Sequence, residues 1–338
     1  RRVASPPDHH THSVAGRVFS SDTLPMSIPS NSPDFLSRRI HLVTGKGGVG
    51  RTTVAACLAE AAARHGKRVL LTEIGDPEGG PSPIARKFGR NQLTPDPEPL
   101  GPTGLSGCHV WATRGHELFA QSVVPAGPLI RAALRSRTLQ KFVAAVPSLY
   151  ELGLFFHLLR LLQAENDRGE PEHEIIVADM PATGQTLALT SLPEILLDAL
   201  SDGPIPRYMR EGQAFLNDPE KGLAWVVTLP EPLPADEALE LIEGLRSTHV
   251  TPAGLILNRM PDDPFEPEER VALEALLRDR PMHGALGFRK TGEARSIRER
   301  LASETDLPTL ELPDLQETST MAARRSLTDR LVSWMETG

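Results

Sequence analysis

Between Gly45 and Thr53 the chain reads G-K-G-G-V-G-R-T-T. Gly45, Gly50 and Thr52 fit the spacing G-x-x-x-x-G-K-[ST] of a phosphate-binding loop. Arg51 stands where that pattern has lysine, and a lysine comes early instead, at Lys46. Gly45, Gly47, Gly48 and Gly50, with Val49 among them, let a backbone approach phosphate oxygens without a Cβ in the way. Amides at the start of a helix, together with its dipole, attract an anion. Thr52 is placed to offer its hydroxyl to Mg²⁺, and Thr53 is expected near the α-phosphate. Arginine keeps the missing lysine's charge on a longer, forked side chain. Nucleotide binding is therefore expected to survive Arg51 more safely than fast hydrolysis.

The elements that would hold this loop are legible around it. Arg39 to Val43 is a short apolar run, Thr52 to His65 is an alanine-rich helix closed by Gly66, and Arg68 to Ile74 is a second buried strand. Strand, loop, helix and strand in this order make a βαβ unit and imply a parallel sheet. Residues 77–107 are crowded with Gly and Pro and read as a long loop region. A strand is expected at 109–113, helical pattern at 116–164 broken at Pro125, Pro128 and Pro147, and an apolar strand at 173–179 that ends in Asp179. Strands follow at 223–229, 254–258 and 309–312, with helices at 235–245, 268–277 and 319–335. The alternation predicts an α/β fold, a doubly wound and mostly parallel sheet with ligand at the carboxyl ends of its strands.

Composition narrows the classes. The chain has 338 residues and a formal net charge of −8, an acidic balance that argues against a nucleic-acid contact face. A local basic patch at Arg131, Arg135, Arg137 and Lys141 is the exception. Cys57 and Cys108 are its two cysteines and form no C-x-x-C, so neither a disulfide framework nor a cysteine zinc site within one chain is expected. That usage fits a reducing cytosol. No run of about 18 apolar residues suggests a membrane span. Residues 1–37 are rich in Ser, Pro and His, without hydrophobic period, and read as a disordered leader in which Met26 is one candidate start. His9, His10 and His12 read as part of a solvated tail.

K-G-G-V-G-R-T-T, residues 46–53, resembles the deviant phosphate loop of the ATPase superfamily that includes arsenite-pump ATPases, tail-anchored-protein targeting ATPases, nitrogenase iron protein, and partition and Min-type ATPases. The resemblance implies ATP as ligand, Mg²⁺ as cofactor and a P-loop NTPase domain over residues 38–338. It also implies that Lys46 crosses a dimer interface to the phosphates held by the other subunit, acting as an arginine finger would. Asp179-Met-Pro-Ala-Thr-Gly-Gln-Thr-Leu187 is similar to the switch II segment of the arsenite-pump and tail-anchor branch, with Ala182 and Gln185 as departures. By that likeness Asp179 holds Mg²⁺ through water, and Pro181, Thr183 and Gly184 form a mobile turn that senses the γ-phosphate. Thr72 to Pro77 resembles switch I, whose aspartate, here Asp76, orients the attacking water, with Glu73 as competitor. Gly254 to Asn258 resembles the strand whose terminal asparagine reads adenine.

The resemblance further places an inserted helical subdomain at about 116–168, where Leu152 to Leu162 is apolar enough for burial or for a groove that takes a partner helix. The expected partners are a second copy or a related ATPase, plus an unidentified client protein or membrane partner, in the cytoplasm. The zinc C-x-x-C of the targeting factors and the cysteine metalloid site of the arsenite pump have no counterpart in the sequence, so arsenite extrusion is not expected. The alternatives are an ATP-binding switch or scaffold with little hydrolysis and a partition or Min-type positioning ATPase.

Overall fold

The computed structural model describes residues 34–75, 81–101, 104–123, 149–200, 202–279, 284–315 and 320–337. Among them, eight strands form one sheet: β1 (Ile40–Gly45), β2 (Val69–Ile74), β3 (Glu98–Pro99), β4 (Leu105–Val110), β5 (Ile175–Asp179), β6 (Gly222–Thr228), β7 (Pro252–Met260) and β8 (Thr309–Pro313). Their spatial order is β3-β4-β2-β5-β1-β6-β7-β8. All neighbours run parallel except the short edge pair β3–β4. From β1 the chain winds first to one side, through β2, and after β5 it crosses β1 to reach β6. That reversal opens a crevice at the carboxyl end of β1, where an open α/β sheet takes its ligand. The fold is the α/β class the sequence predicts.

Strand side chains alternate between two cores because both faces of the sheet are covered. Val43, Leu71, Val177 and Trp225 point to one face, under α1 (Arg51–Arg64), α2 (Pro83–Lys87) and α10 (Thr320–Thr337). Leu42, Leu70, Ile176 and Val226 point to the other. There lie α3 (Ala112–Val123), α4 (Leu149–Leu162), α5 (Thr183–Ala199), α6 (Pro204–Leu216), α7 (Pro232–Ser247) and α9 (Ala285–Glu304). The remaining helix, α8 (Pro267–Asp279), follows β7. Small side chains let α1 sit between the sheet and α10, and Val54 to Ala59 are all buried.

Several expectations need correction. The end of the stretch read as a leader, up to residue 37, is part of the fold. Asp34 caps a short 3-10 turn (Phe35–Ser37), and Phe35 is buried and stacks on His41 at 3.6 Å. Residues 77–107 are not one loop: Ser82 caps α2 with Pro83 in its first turn, and β4 starts at Leu105. The strand expected at 109–113 is β4 displaced toward its amino end, in register with β2 from Val69↔Leu105 to Ile74↔Val110. Its small residues Ser106 and Gly107 hide it in the sequence. Thr183 and Gly184 are the first residues of α5 rather than a free turn. Helices α5, α6 and α9 were not anticipated, and α5 carries a buried Pro193 within it. Of the helical stretch around 116–168, α3 and α4 are described, and residues 163–174 are non-helical. The basic patch at 131–141 and the proline breaks at 125, 128 and 147 lie outside the described residues.

Candidate functional site

The glycine loop joins the end of β1 to the start of α1, at the crevice. Gly45 ends β1 at φ 146°, and a Cβ there would run into the backbone carbonyl of Val227 on the adjacent strand. Gly47 and Gly48 form the exposed crest of the loop, and a Cβ on either would meet no atom of the protein within 4 Å. Packing therefore does not ask for glycine at Gly47, and at Gly48 the demand is conformational, through its φ of 91°. The bare backbone at both is left open on its outer side, where the sequence places phosphate. Val49, by contrast, is buried and anchors the loop in the core under α1.

Gly50 is the N-cap of α1 in the left-handed region (φ 96°), with no side chain to cap the first turn. A Cβ on Gly50 would strike the Asn258 amide nitrogen. That amide, at the strand position expected to read adenine, is buried and donates to the Val49 carbonyl at 2.8 Å. Asn258 thus fixes the shape of the loop from below.

The Thr52 hydroxyl donates to Asp179 Oδ2 at 2.6 Å. Asp179 pairs laterally with Val43 on one side and Glu73 on the other, so the carboxyl ends of β1, β5 and β2 meet here. Its second oxygen, Oδ1, is buried and has no hydrogen-bond partner. Burial pushes the Asp179 carboxyl up to about 6, against the pull of the Thr52 hydrogen bond and the Arg51 charge. A hydroxyl beside a buried carboxylate with an orphaned oxygen is a hard donor set, and it fits Mg²⁺.

Arg51 donates to the Pro181 carbonyl, which also accepts from the Thr186 hydroxyl at 3.0 Å. The Thr44 hydroxyl donates to Thr186 Oγ1 at 3.2 Å, which ties the end of β1 to α5. The guanidinium expected at the phosphates is therefore anchored on the segment expected to sense them. Lys46 is ion-paired with Glu237 on α7. Glu73, the competitor for the water-orienting role, accepts from the Ser82 hydroxyl and, at 3.4 Å, from the Ile84 amide at the start of α2. Asp76 lies outside the described residues.

Sequence reading missed Glu237, Thr44, Thr186 and Lys87. Thr186 stood in view within Thr-Gly-Gln-Thr, but Glu237 and Lys87 come to the loop from elements with no spacing signal.

The sequence model of the anion-transporting ATPases matches residues 38–202, from just before β1 to beyond α5. ATPase BagA of Mycobacterium tuberculosis is 28% identical over 244 residues, which cover 68% of this chain and 68% of that protein. An arsenical pump-driving ATPase of Escherichia coli is 32% identical over 245 residues, 68% of this chain but 37% of the pump protein. ATPase get3 of Pyrenophora tritici-repentis is 26% identical over 208 residues, 61% of this chain and 57% of that protein. With the matched region carrying the glycine loop, Asp179 and the Thr183–Thr186 turn of helix, the chain belongs to the anion-transporting ATPase family.

Proposed function

We propose that this chain is a Mg²⁺-dependent ATPase that works in the cytoplasm as a pair of protomers, with ATP binding and hydrolysis driving a conformational change that alters partner binding. The observation that carries the reading is the Thr52–Asp179 pair, with its orphaned buried oxygen, at the mouth of the glycine loop. Thr52 and Asp179 would hold Mg²⁺, Asp179 through water, and the ion would supply positive charge to the β- and γ-phosphates. The loop amides from Lys46 through Gly47, Gly48 and Val49 to Gly50, with the uncapped first turn of α1, bind phosphate oxygens. Asn258 keeps the loop in shape while its strand end faces the base. Asp76 or Glu73 orients the water that attacks the γ-phosphate. Lys46, released from Glu237, stabilises the transition-state charge on the other protomer's nucleotide.

The partner protomer is a second copy or a related ATPase. The client is a protein or a membrane partner; the apolar residues of α4 are buried within this chain on nearly all sides and so belong to its core rather than to an open groove. No helix among the described residues is long and apolar enough to cross a membrane.

A second reading, an ATP-binding switch that hardly hydrolyses, is favoured by one observation: Arg51 is turned to the Pro181 carbonyl. Steady-state Mg-ATP hydrolysis by the purified chain, beside Asp179→Asn and Lys46→Ala, separates the two. Turnover that both substitutions abolish supports the ATPase. Tight ATP binding without turnover supports the switch, and absence of ATP binding sinks both.

A further inference from the structure

We propose that Lys87, the last residue of α2, is a phosphate-contacting residue that grips the α-phosphate of the bound nucleotide; this rests on the nucleotide reading of the glycine loop. Lys87 Nζ donates to the Thr53 hydroxyl at 2.7 Å. Thr53 lies in the first turn of α1, its amide bonded to the Gly50 carbonyl at 2.9 Å. The ammonium thus sits over the positive end of the helix dipole, where a cation is disfavoured.

Little among the described residues compensates it. Among the described residues no carboxylate lies within ion-pair distance of Lys87, and its polar contact is a neutral hydroxyl. Burial lowers its pKa, with Arg324 adding to the effect. The Cys57 thiol beside it is pushed up to about 11 by burial, so it carries no charge near neutrality. Asp179 is the remaining anionic influence, and Thr52 already occupies one of its oxygens. The lysine is nevertheless held in place from behind: Arg324 of α10 donates to the Lys87 carbonyl and stacks on the Phe88 ring at 4.5 Å. A half-buried cation, fixed by its neighbours and without an ion-pair partner among the described residues, at the mouth of an anion-binding loop, fits an anionic ligand. Thr52 takes the Mg²⁺ side of the loop. The next residue, with Lys87 on its hydroxyl, then faces the phosphate nearest the ribose.

The test is equilibrium binding of ATP and ADP to wild type and Lys87→Met, with thermal midpoints of the ligand-free proteins. Loss of one charged hydrogen bond predicts about ten- to hundred-fold weaker binding. Because both nucleotides carry the α-phosphate, the factor should be the same for ATP and ADP, and Lys87→Arg should restore most of it. Equal affinity in wild type and variant, with or without a lower midpoint, would leave Lys87 a structural tie and overturn the proposal. A loss confined to ATP would overturn the α-phosphate assignment. Failure of wild type to bind either nucleotide would overturn the nucleotide reading, and this one with it. Should Lys87→Met not fold, Lys87→Gln keeps a hydrogen bond to Thr53 without the charge, and the same equal loss is expected.

Discussion

Lys46 and Glu237 form an ion pair within one chain, between the glycine loop and helix α7. Both side chains are about a third exposed, at 36% and 32%. The second Glu237 oxygen is buried without a partner, so the lysine is what holds that carboxylate in place. Reach into a neighbouring protomer requires this pair to open. Partly exposed pairs contribute about 0.2–1 kcal/mol, so the restraint is worth roughly five-fold at most. Glu237→Gln is therefore expected to raise ATPase activity by up to about five-fold at protein concentrations where pairing limits the rate. Lys46→Ala should lower it by about a hundred-fold or more. Rates measured against protein concentration decide the matter, and a Glu237→Gln rate at or below wild type would remove the restraint.

Asp179→Asn should abolish Mg²⁺-dependent turnover yet stabilise the ligand-free fold at pH 8. The Asp179 carboxyl lies near 6 in the folded chain and near its ordinary value of 3.8 when unfolded. The folded state therefore binds this proton more readily, and wild type loses stability as pH rises from about 3.8 to 6. Above pH 6 the variant should be ahead by on the order of 3 kcal/mol, and the gap should close on acidification through that window. Urea unfolding of both proteins at pH 8, 6 and 4.5, without Mg²⁺ or nucleotide, checks the sign.

Gly45→Ala should cost about 2–4 kcal/mol, since its Cβ meets a backbone carbonyl that cannot swing away and its φ lies in the left-handed region. The glycine's obstacle is Val227, inside the paired β1–β6 register. Gly47→Ala, where the protein leaves room, should unfold with wild type and reveal its effect only in nucleotide affinity. A Gly45→Ala urea midpoint within error of wild type would contradict the close approach.

Arg51→Lys shortens the side chain and removes the fork that reaches the Pro181 carbonyl. The freed charge should raise kcat by a few-fold and leave nucleotide affinity within about three-fold, read by single-turnover hydrolysis and equilibrium binding. A fall in kcat would mean that the anchored arginine itself serves turnover.

The loop, β1, α1, β2 and the acid ending β5 were legible because they are local. An apolar run, glycines at fixed offsets and an alanine-rich helix all lie within one βαβ unit. The fold class followed from alternation, and the structure agrees with it. What escaped reading depends on long-range placement. Glu237 and Lys87 reach the loop from α7 and α2, separated from their partners by 191 and 34 residues. Helix α5 was not anticipated, and it continues through Pro193 with the proline buried. Asn258 was expected at the base from the likeness of Gly254 to Asn258 to an adenine-reading strand, although β7 runs on to Met260. Its hydrogen bond to Val49 shows a second task that no local pattern carries.

At the opposite end of β1, His41 takes a hydrogen bond from the Trp225 indole at 3.0 Å and contacts the Phe35 carbonyl at 2.9 Å, which sets it as the neutral ring with its proton on Nε2. Trp225 in turn meets Trp334 of α10 edge to face, with ring centroids 5.5 Å apart. The chain's third tryptophan, Trp111, stands after β4 against His109, far in sequence from this pair. Two of the three indole fluorophores thus sit in the sealed floor of the molecule and will brighten or dim chiefly when the whole domain melts. The third sits beside the helical layer, so a spectral change confined to it would give a label-free optical readout of motion there.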